Sequence, residues 1–480
     1  MSYSVAQNTS FLTAASVLQK IISFAYFIFI ASKIGVLNTG SYTFAISITT
    51  VFIVLADFGF TQVLTREASK FPEKSQHYFD TVISSKILFG IGAYVLVILF
   101  ANVLNYAPQL KLFIYISGVT MFFDNLQTGF LSIFRANKNL KYESVVVIAV
   151  QAANLLIGTA AVFLKAPLGW LIAAYTIPSI LIVFVSAFYV NRTYGVRYHF
   201  VIDRAVLRQF AIFGFPFAVA AFLGRLYSYS DSILISKLLT AENLGWWVVP
   251  YKIAYAFQFV PTALSASVYP VFSSLTISAP DKIGELFVKA WKYLFVIVFP
   301  LSFGLIALAS PVVIHFFGHN YEQSIPVLRI SMLSLIFSYL AIITGALLNA
   351  TNHQKTQTGL IATALISNIA LNLLLIPSFG IVGAAYSALF SNLLLWALGF
   401  AYARKYVVFS SLTVLKSGIK ILLLALIMSI LVYLLNQHFS IYITIPLGIL
   451  IYGLLLVAAG TIDRNNITGL WGKLSIKNQL

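Results

Sequence analysis

The 480-residue chain has no cysteine, which excludes disulfide, metal-thiolate and thiol chemistry and leaves its redox compartment undetermined. Acidic residues are scarce, 13 against 30 Lys and Arg, and charged residues of either sign make up only 9%. A water-soluble domain needs far more charge than that on its surface. With 60% hydrophobic residues and a mean hydropathy of +0.93, the solvent of this chain is a bilayer. The motifs of common catalysis are also missing: there is no HExxH, no P-loop and no Gly-x-Ser-x-Gly. No long outer loop is available to fold over a substrate, no catalytic residue or metal-ligand set stands out, and no cofactor is implied. The chain reads as a non-enzyme. Lacking a nucleotide domain, a transporter of this kind would draw its energy from a gradient or a partner.

What is present is a succession of apolar stretches of spanning length, such as Ile87 to Leu104 and Ile421 to Leu435, without the polar alternation of a barrel strand. Fourteen spans are expected, starting near Phe11, Gly40, Thr81, Leu112, Ser144, Leu168, Gln209, Leu244, Trp291, Pro326, Thr358, Val382, Ser417 and Ile441. The fold class is therefore an all-α polytopic membrane protein. No cleavable signal peptide is visible, so the first span is expected to remain as an anchor.

The cations alternate. The even-numbered gaps and the tail hold 21 Lys and Arg, among them Arg66, Arg135, Arg197, Lys282, Lys405, Arg464, Lys473 and Lys477. The odd gaps hold only Lys33, Lys111, Lys165 and Lys237. Positive charge stays inside, so both termini are expected to be cytoplasmic. The net charge of +17 is spread over short loops and not gathered on one face, which argues against a nucleic-acid partner. Sequons at Asn8, Asn191 and Asn466 fall on the expected inner side and are discounted.

An internal repeat is legible. Gly129 and Leu131 match Gly345 and Leu347 at an offset of 216, and Gly169 with Ala173-Ala174-Tyr175 matches Gly380 with Ala384-Ala385-Tyr386 at an offset of 211. A weaker match sets Ser32-Lys33 and Gly40 against Ser236-Lys237 and Gly245. Duplication of a six-span unit puts two parallel lobes at residues 1–200 and 201–408, with two further spans and a tail at 409–480, and places substrate between the lobes.

Ionisable groups inside spans are costly unless paired or wet, and each is a candidate for function. The cations are Lys20, Lys86, Arg225, Lys252 and Arg329, expected to line a wet chamber suited to phosphate or carboxylate. Lys20 and Arg225, each midway along the first span of its lobe, carry most weight; the others lie nearer span ends, where snorkelling competes. The acids Asp57, Asp124 and Asp231 are candidates for ion coupling, although Asp57 reads first as a helix cap or a partner of Arg66, and Asp124 reads equally as a hydrogen-bonded structural residue. Arg225 and Asp231, six apart, do not share a face in adjacent turns. Asn154, Asn368, Asn372 and Asn392 suit interhelical hydrogen bonds or sugar hydroxyls. Pro250, Pro261 and Pro270 punctuate span eight, either as a gate or as static kinks filled by neighbours.

The stretch from Asp231 to Leu239, then Gly245-Trp246, Tyr251-Lys252-Ile253, and Pro261 to Pro270, resembles the start of the second lobe in polysaccharide flippases. Leu55 to Phe60 and Gly380 to Tyr386 resemble that family too. These are the Wzx-type transporters of the multidrug/oligosaccharidyl-lipid/polysaccharide exporter superfamily. The resemblance implies two six-helix lobes with a central cavity of alternating access, and two extra helices near a lateral gate. It implies a polyprenyl-pyrophosphate-linked oligosaccharide moved across the bacterial cytoplasmic membrane by a monomer, beside polysaccharide polymerase and chain-length machinery. Lys20 and Arg225 would then attract the pyrophosphate or acidic sugars, and aromatic residues would stack on sugar rings. Two other readings compete. An ion-coupled multidrug exporter of the same fold would prefer an acidic cavity, and a membrane glycan polymerase or ligase would want a larger outer loop than the one holding His315 and His319.

Overall fold

A computed structural model describes residues 5–461. Arg464, Lys473, Lys477 and the sequon at Asn466 lie outside the described residues, as does the side chain of Asn8. The chain forms α1 (Val5–Asp57), α2 (Phe60–Lys70), α3 (Ser75–Val103), α4 (Pro108–Ala136), α5 (Leu140–Phe163), α6 (Gly169–Tyr194), α7 (Arg204–Leu238) and α8 (Ala241–Phe257). It continues through α9 (Phe259–Ser278), α10 (Ile283–Ala307), α11 (Ala309–Phe317), α12 (Ser324–Ala350), α13 (Gln354–Tyr406), α14 (Ser411–Leu435) and α15 (Ile441–Ala458), with no strand among the described residues.

Two of these helices are long enough for two crossings, and each breaks at a glycine in the left-handed region: α1 at Gly35 (φ 78) and α13 at Gly380 (φ 59). A side chain there would be strained, so glycine marks the reversal. With α8 and α9 together forming one crossing, α2 and α11 too short to span, and the less apolar α4 included, fourteen spans result among the described residues, as expected from hydropathy. Several helices begin earlier than their apolar stretch does, α10 at Ile283 and not Trp291, α3 at Ser75 and not Thr81. The added turns carry Glu285 and Lys289, or His77 and Asp80. Backbone pairing continues into the interface, where polar side chains are tolerated.

By packing, the chain divides into two compact units: one runs to Ala256 and includes Leu365–Ala384, the other holds Phe257–Ala364 and the chain from Ala385. The first has its core where α2, α3, α4, α6 and α7 meet, around Phe60, Phe79, Phe130, Phe134 and Phe210. A bidentate pair closes the α4–α5 turn, with Arg135 Nε and Nη2 donating to Glu143 at 2.8 and 2.5 Å. At two crossings in this unit only glycine fits. A Cβ on Gly245 would lie 2.1 Å from the Val36 carbonyl oxygen, and one on Gly59 (φ 78) would lie 2.4 Å from that of Gly214.

The segment joining α6 to α7 has no regular structure yet is bound along one face of α3. Gln76 accepts from the Arg197 amide at 3.0 Å, Asp80 from His199 at 2.9 Å and Ser84 from Val201 at 3.2 Å. His77 Nε2 lies 3.0 Å from Asp203, which also caps α7 by accepting from Ala205 and Val206.

The second unit is built around Trp291 on α10, which packs on Phe287 and Phe400 at ring distances of 5.2 and 5.3 Å. α14 joins it through Ser429, donating to the Phe303 carbonyl at 2.8 Å, and α15 lies on α14 with Gly448 against Val432. The outer faces of both helices expose Leu423, Ile430, Leu450 and Leu454, a surface for lipid.

Candidate functional site

Two adjoining cavities open within the first unit. The larger, about 270 Å³, is lined from α1, α5, α6 and α8 and holds Lys20 and Lys252 with Gln19, Gln151 and four tyrosines, 26, 42, 175 and 255. The smaller, about 190 Å³, is lined from α1, α4, α6 and α7 and holds Asp124 and Arg225 with Thr49, Thr50, Ser117 and Thr120. Ile46 and Tyr175 line both and form the partition. The α1 wall is one helical face: Thr43, Ile46, Thr50 and Ile53 follow at intervals of three and four.

The charges differ between the cavities. The lining of the larger includes no carboxylate; Lys20 sits 5.8 Å above the Tyr255 ring and Lys252 5.8 Å from Phe27. In the smaller, Asp124 accepts from Ser179 at 2.6 Å and has no cation within 4.0 Å among the described residues, although Arg225 shares its cavity. A carboxylate accepts up to four hydrogen bonds, so Asp124 keeps acceptor capacity beyond the Ser179 contact.

The other candidates lie elsewhere. Lys86 is fully enclosed among helices: its ammonium is 2.5 Å from Asp57 and donates to the Asn125 carbonyl (2.8 Å), Asn125 Oδ1 (3.0 Å) and Thr128 (2.8 Å). Asp57 thus pairs with Lys86 and not with Arg66, which turns to Glu67 at 2.7 Å. It also receives the Thr61 amide at 3.3 Å and the Thr61 hydroxyl, tying α1 to α2. Asp231 is buried on α7 and accepts from Asn368 and Asn372 at 3.0 and 2.6 Å, so these amides serve an interhelical carboxylate. Asn392 binds Ser334 at 3.0 Å. Arg329 is exposed on α12, in the second unit.

Two prolines in the spans have a neighbour that takes up the carbonyl they leave without a donor. Pro261 opens α9 after an interruption at Gln258, and having no N–H it leaves the Phe257 carbonyl without its helical donor. The buried Tyr339 hydroxyl donates to that oxygen at 2.6 Å. Pro178 does the same to Ala174, whose carbonyl takes the Asn154 amide at 2.9 Å in the orientation that satisfies both atoms of that side chain. Pro250 is buried within α8 and Pro270 exposed within α9.

Sequence reasoning overlooked Tyr175, Gln151 and Ser179 as site residues. Thr43, Thr49 and Thr50 are a readable signal, hydroxyls set within an apolar span. The Ser179 contact with Asp124 crosses 55 positions and left none.

Comparison with known proteins agrees with this architecture. The family model for "Polysaccharide biosynthesis protein" matches residues 5–276, and that for "Lipid II flippase MurJ" matches residues 256–453. A Shigella flexneri protein named "Putative O-antigen transporter" is 22% identical over 382 residues, 75% of this chain and 88% of the relative. The Bacillus subtilis "Teichuronic acid biosynthesis protein TuaB" is 26% identical over 166 residues, 33% of this chain and 33% of the relative. Among solved structures, the lipid II flippase MurJ in an inward closed conformation superposes with a TM-score of 0.76 at 20% identity, covering 92% of this chain and 97% of that one. An inward-facing multidrug MATE transporter of the MOP superfamily gives 0.68 at 13%, covering 81% and 94%. Those likenesses establish the fold; because the first family model spans more than half of the sequence, the chain belongs to the polysaccharide biosynthesis protein family, on the fold of the multidrug/oligosaccharidyl-lipid/polysaccharide exporters.

Proposed function

We propose that this protein is a flippase that carries a polyprenyl-pyrophosphate-linked oligosaccharide from the cytoplasmic to the outer leaflet by alternating access. The observation that supports it most is the clustering of Lys20, Lys252 and Arg225 on two adjoining cavities rich in hydroxyl, amide and tyrosine side chains. Cations in a membrane-embedded hollow attract an anionic headgroup, and amides with tyrosine faces suit sugar rings. The names of the relatives, an O-antigen transporter and a lipid II flippase, point the same way. In this reading the protein sits in the bacterial cytoplasmic membrane as a monomer with both termini inside, and polysaccharide polymerase and chain-length machinery act downstream. The six-span duplication supplies its two lobes, Asp124, Asp231 and Asp57 are the candidates for ion coupling, and Pro250, Pro261 and Pro270, around the α8–α9 interruption, are the candidate gate.

A second reading, an ion-coupled drug exporter, draws on Asp124, a carboxylate with spare acceptor capacity in the smaller cavity. Purified protein in liposomes, offered a labelled lipid-linked oligosaccharide, separates the two. Movement between leaflets above that in empty liposomes, reduced at least tenfold by Lys20→Ala with Arg225→Ala at equal protein abundance, is expected. No movement with several glycans, alongside gradient-driven efflux of a cationic dye, would transfer the assignment to the exporter.

A further inference from the structure

The two cavities differ in charge but share a wall, and their contents are complementary in a particular way. On the larger side stand two ammonium groups with the amides of Gln19 and Gln151, and the lining holds no carboxylate. On the smaller side a carboxylate and a guanidinium face one hollow without pairing within 4.0 Å, beside threonine and serine hydroxyls. Tyr175 lines both.

A diphosphate spread over both cavities would bring its negative charge to Asp124, an unfavourable approach in a low-dielectric setting. Sugar hydroxyls suit that place better, since a hydroxyl donates to a carboxylate and accepts from a guanidinium at once. The larger side, by contrast, calls for one anionic group on a compact ring; about 270 Å³ corresponds to roughly nine waters at ~30 Å³ each, enough for one sugar and some solvent but not for a chain.

We propose that the cavities form one bipartite site for an acidic disaccharide unit: Lys20 and Lys252 hold the carboxylate of a uronic-acid-type sugar, while Asp124 and Arg225 clasp hydroxyls of the adjoining neutral sugar across Tyr175. This rests on the flippase reading and adds to it the class of glycan carried. The anion recognised is a sugar carboxylate; the same ammonium groups could meet the pyrophosphate of the lipid, and the test separates these sources.

Binding of cellobiouronate and of cellobiose to the full chain in detergent is measured by calorimetry, with inorganic pyrophosphate as a competitor. The acidic disaccharide is expected to bind at least tenfold more tightly than the neutral one. Lys252→Ala should abolish that preference, while Asp124→Asn should weaken both sugars alike and leave their ratio unchanged. Equal binding of the two disaccharides, no binding of either, or tight pyrophosphate binding without a preference for the acidic sugar overturns the proposal. Both the preference and the competition are read on the unmodified protein, so the outcome stands even where a variant does not fold. Leaflet movement is scored separately: glycan binding with this preference but no transport would sink the flippase reading and keep the site.

Discussion

Replacing Lys86 by Met preserves most of the side-chain volume and deletes the charge, which isolates what the buried ion pair with Asp57 contributes. Removing one member of such a pair costs about 3–5 kcal/mol, because the other is left without compensation. The two single variants should not be equal. With Lys86→Met the stranded group is Asp57, whose side chain keeps 26% exposure and two contacts from Thr61, so the lower end of that range applies. With Asp57→Asn the stranded group is an ammonium with no exposure, held only by Asn125 and Thr128, and the upper end applies. At roughly 1 °C per kcal/mol for a chain of 480 residues, these become falls in Tm of about 3 and about 5 °C. The double variant removes both charges and should recover at least ~2 kcal/mol relative to the sum of the singles. The assay is tryptophan-fluorescence unfolding of purified protein in one detergent. If the singles unfold with the wild type, or the double loses the full sum, the pair is not the structural tie the geometry describes.

Tyr339→Phe should lower Tm by an amount matching about 1–3 kcal/mol, because it leaves the Phe257 carbonyl beside Pro261 without a donor; an unchanged Tm would mean that water takes the place of the hydroxyl. Gly245→Ala should be poorly tolerated, its Cβ lying 2.1 Å from the Val36 oxygen, whereas Gly92→Ala on α3, with nothing within 4 Å, should be neutral or slightly stabilising; fluorescence size-exclusion of membrane extracts compares them. Gly158→Ala should weaken sugar binding without altering any charge, since its Cβ would fall 1.5 Å from the Tyr26 hydroxyl and displace that ring toward the larger cavity; calorimetry with cellobiouronate reads the loss. The amides of Val206 and Ala205, and then His77, hold the Asp203 carboxyl below its usual value. A depressed folded pKa contributes stability above the unfolded value of about 3.9 that is lost as pH falls through the folded one, so the Tm gap between wild type and Asp203→Ala should be full at pH 7 and narrow below about pH 4. A gap independent of pH would exclude that account.

Hydropathy and the alternation of cations sufficed for the spans, because an apolar run of sufficient length has few alternatives in a bilayer. Even the two long helices were divided correctly, since the apolar pattern lapses around Gly35 and Gly380. The site was legible in part. Lys20, Lys252 and Arg225 stood out as charges where charge is expensive, and the structure sets them on shared cavity walls. Lys86 stood out equally, yet it is satisfied by Asn125 and Thr128, 39 and 42 positions away. Nothing local separates a cation bathed in a cavity from one locked between helices. The same holds for Asp231: its partners Asn368 and Asn372 follow more than 130 positions later, and although their amides suit interhelical hydrogen bonds, nothing in the sequence names Asp231 as the acceptor. Intramembrane polarity shows that a site or a tie exists, and only tertiary pairing shows which.

The segment between α6 and α7 bears on anyone tagging this protein. It looks like the natural place for an epitope or a fluorescent insertion: coil, polar and basic, midway along the chain. Yet its amides at Arg197, His199 and Val201 are each taken by a side chain of α3. An insert there would strip α3 of its partners and release the cap of α7, so a silent reporter at that point would speak of unfolding and not of topology.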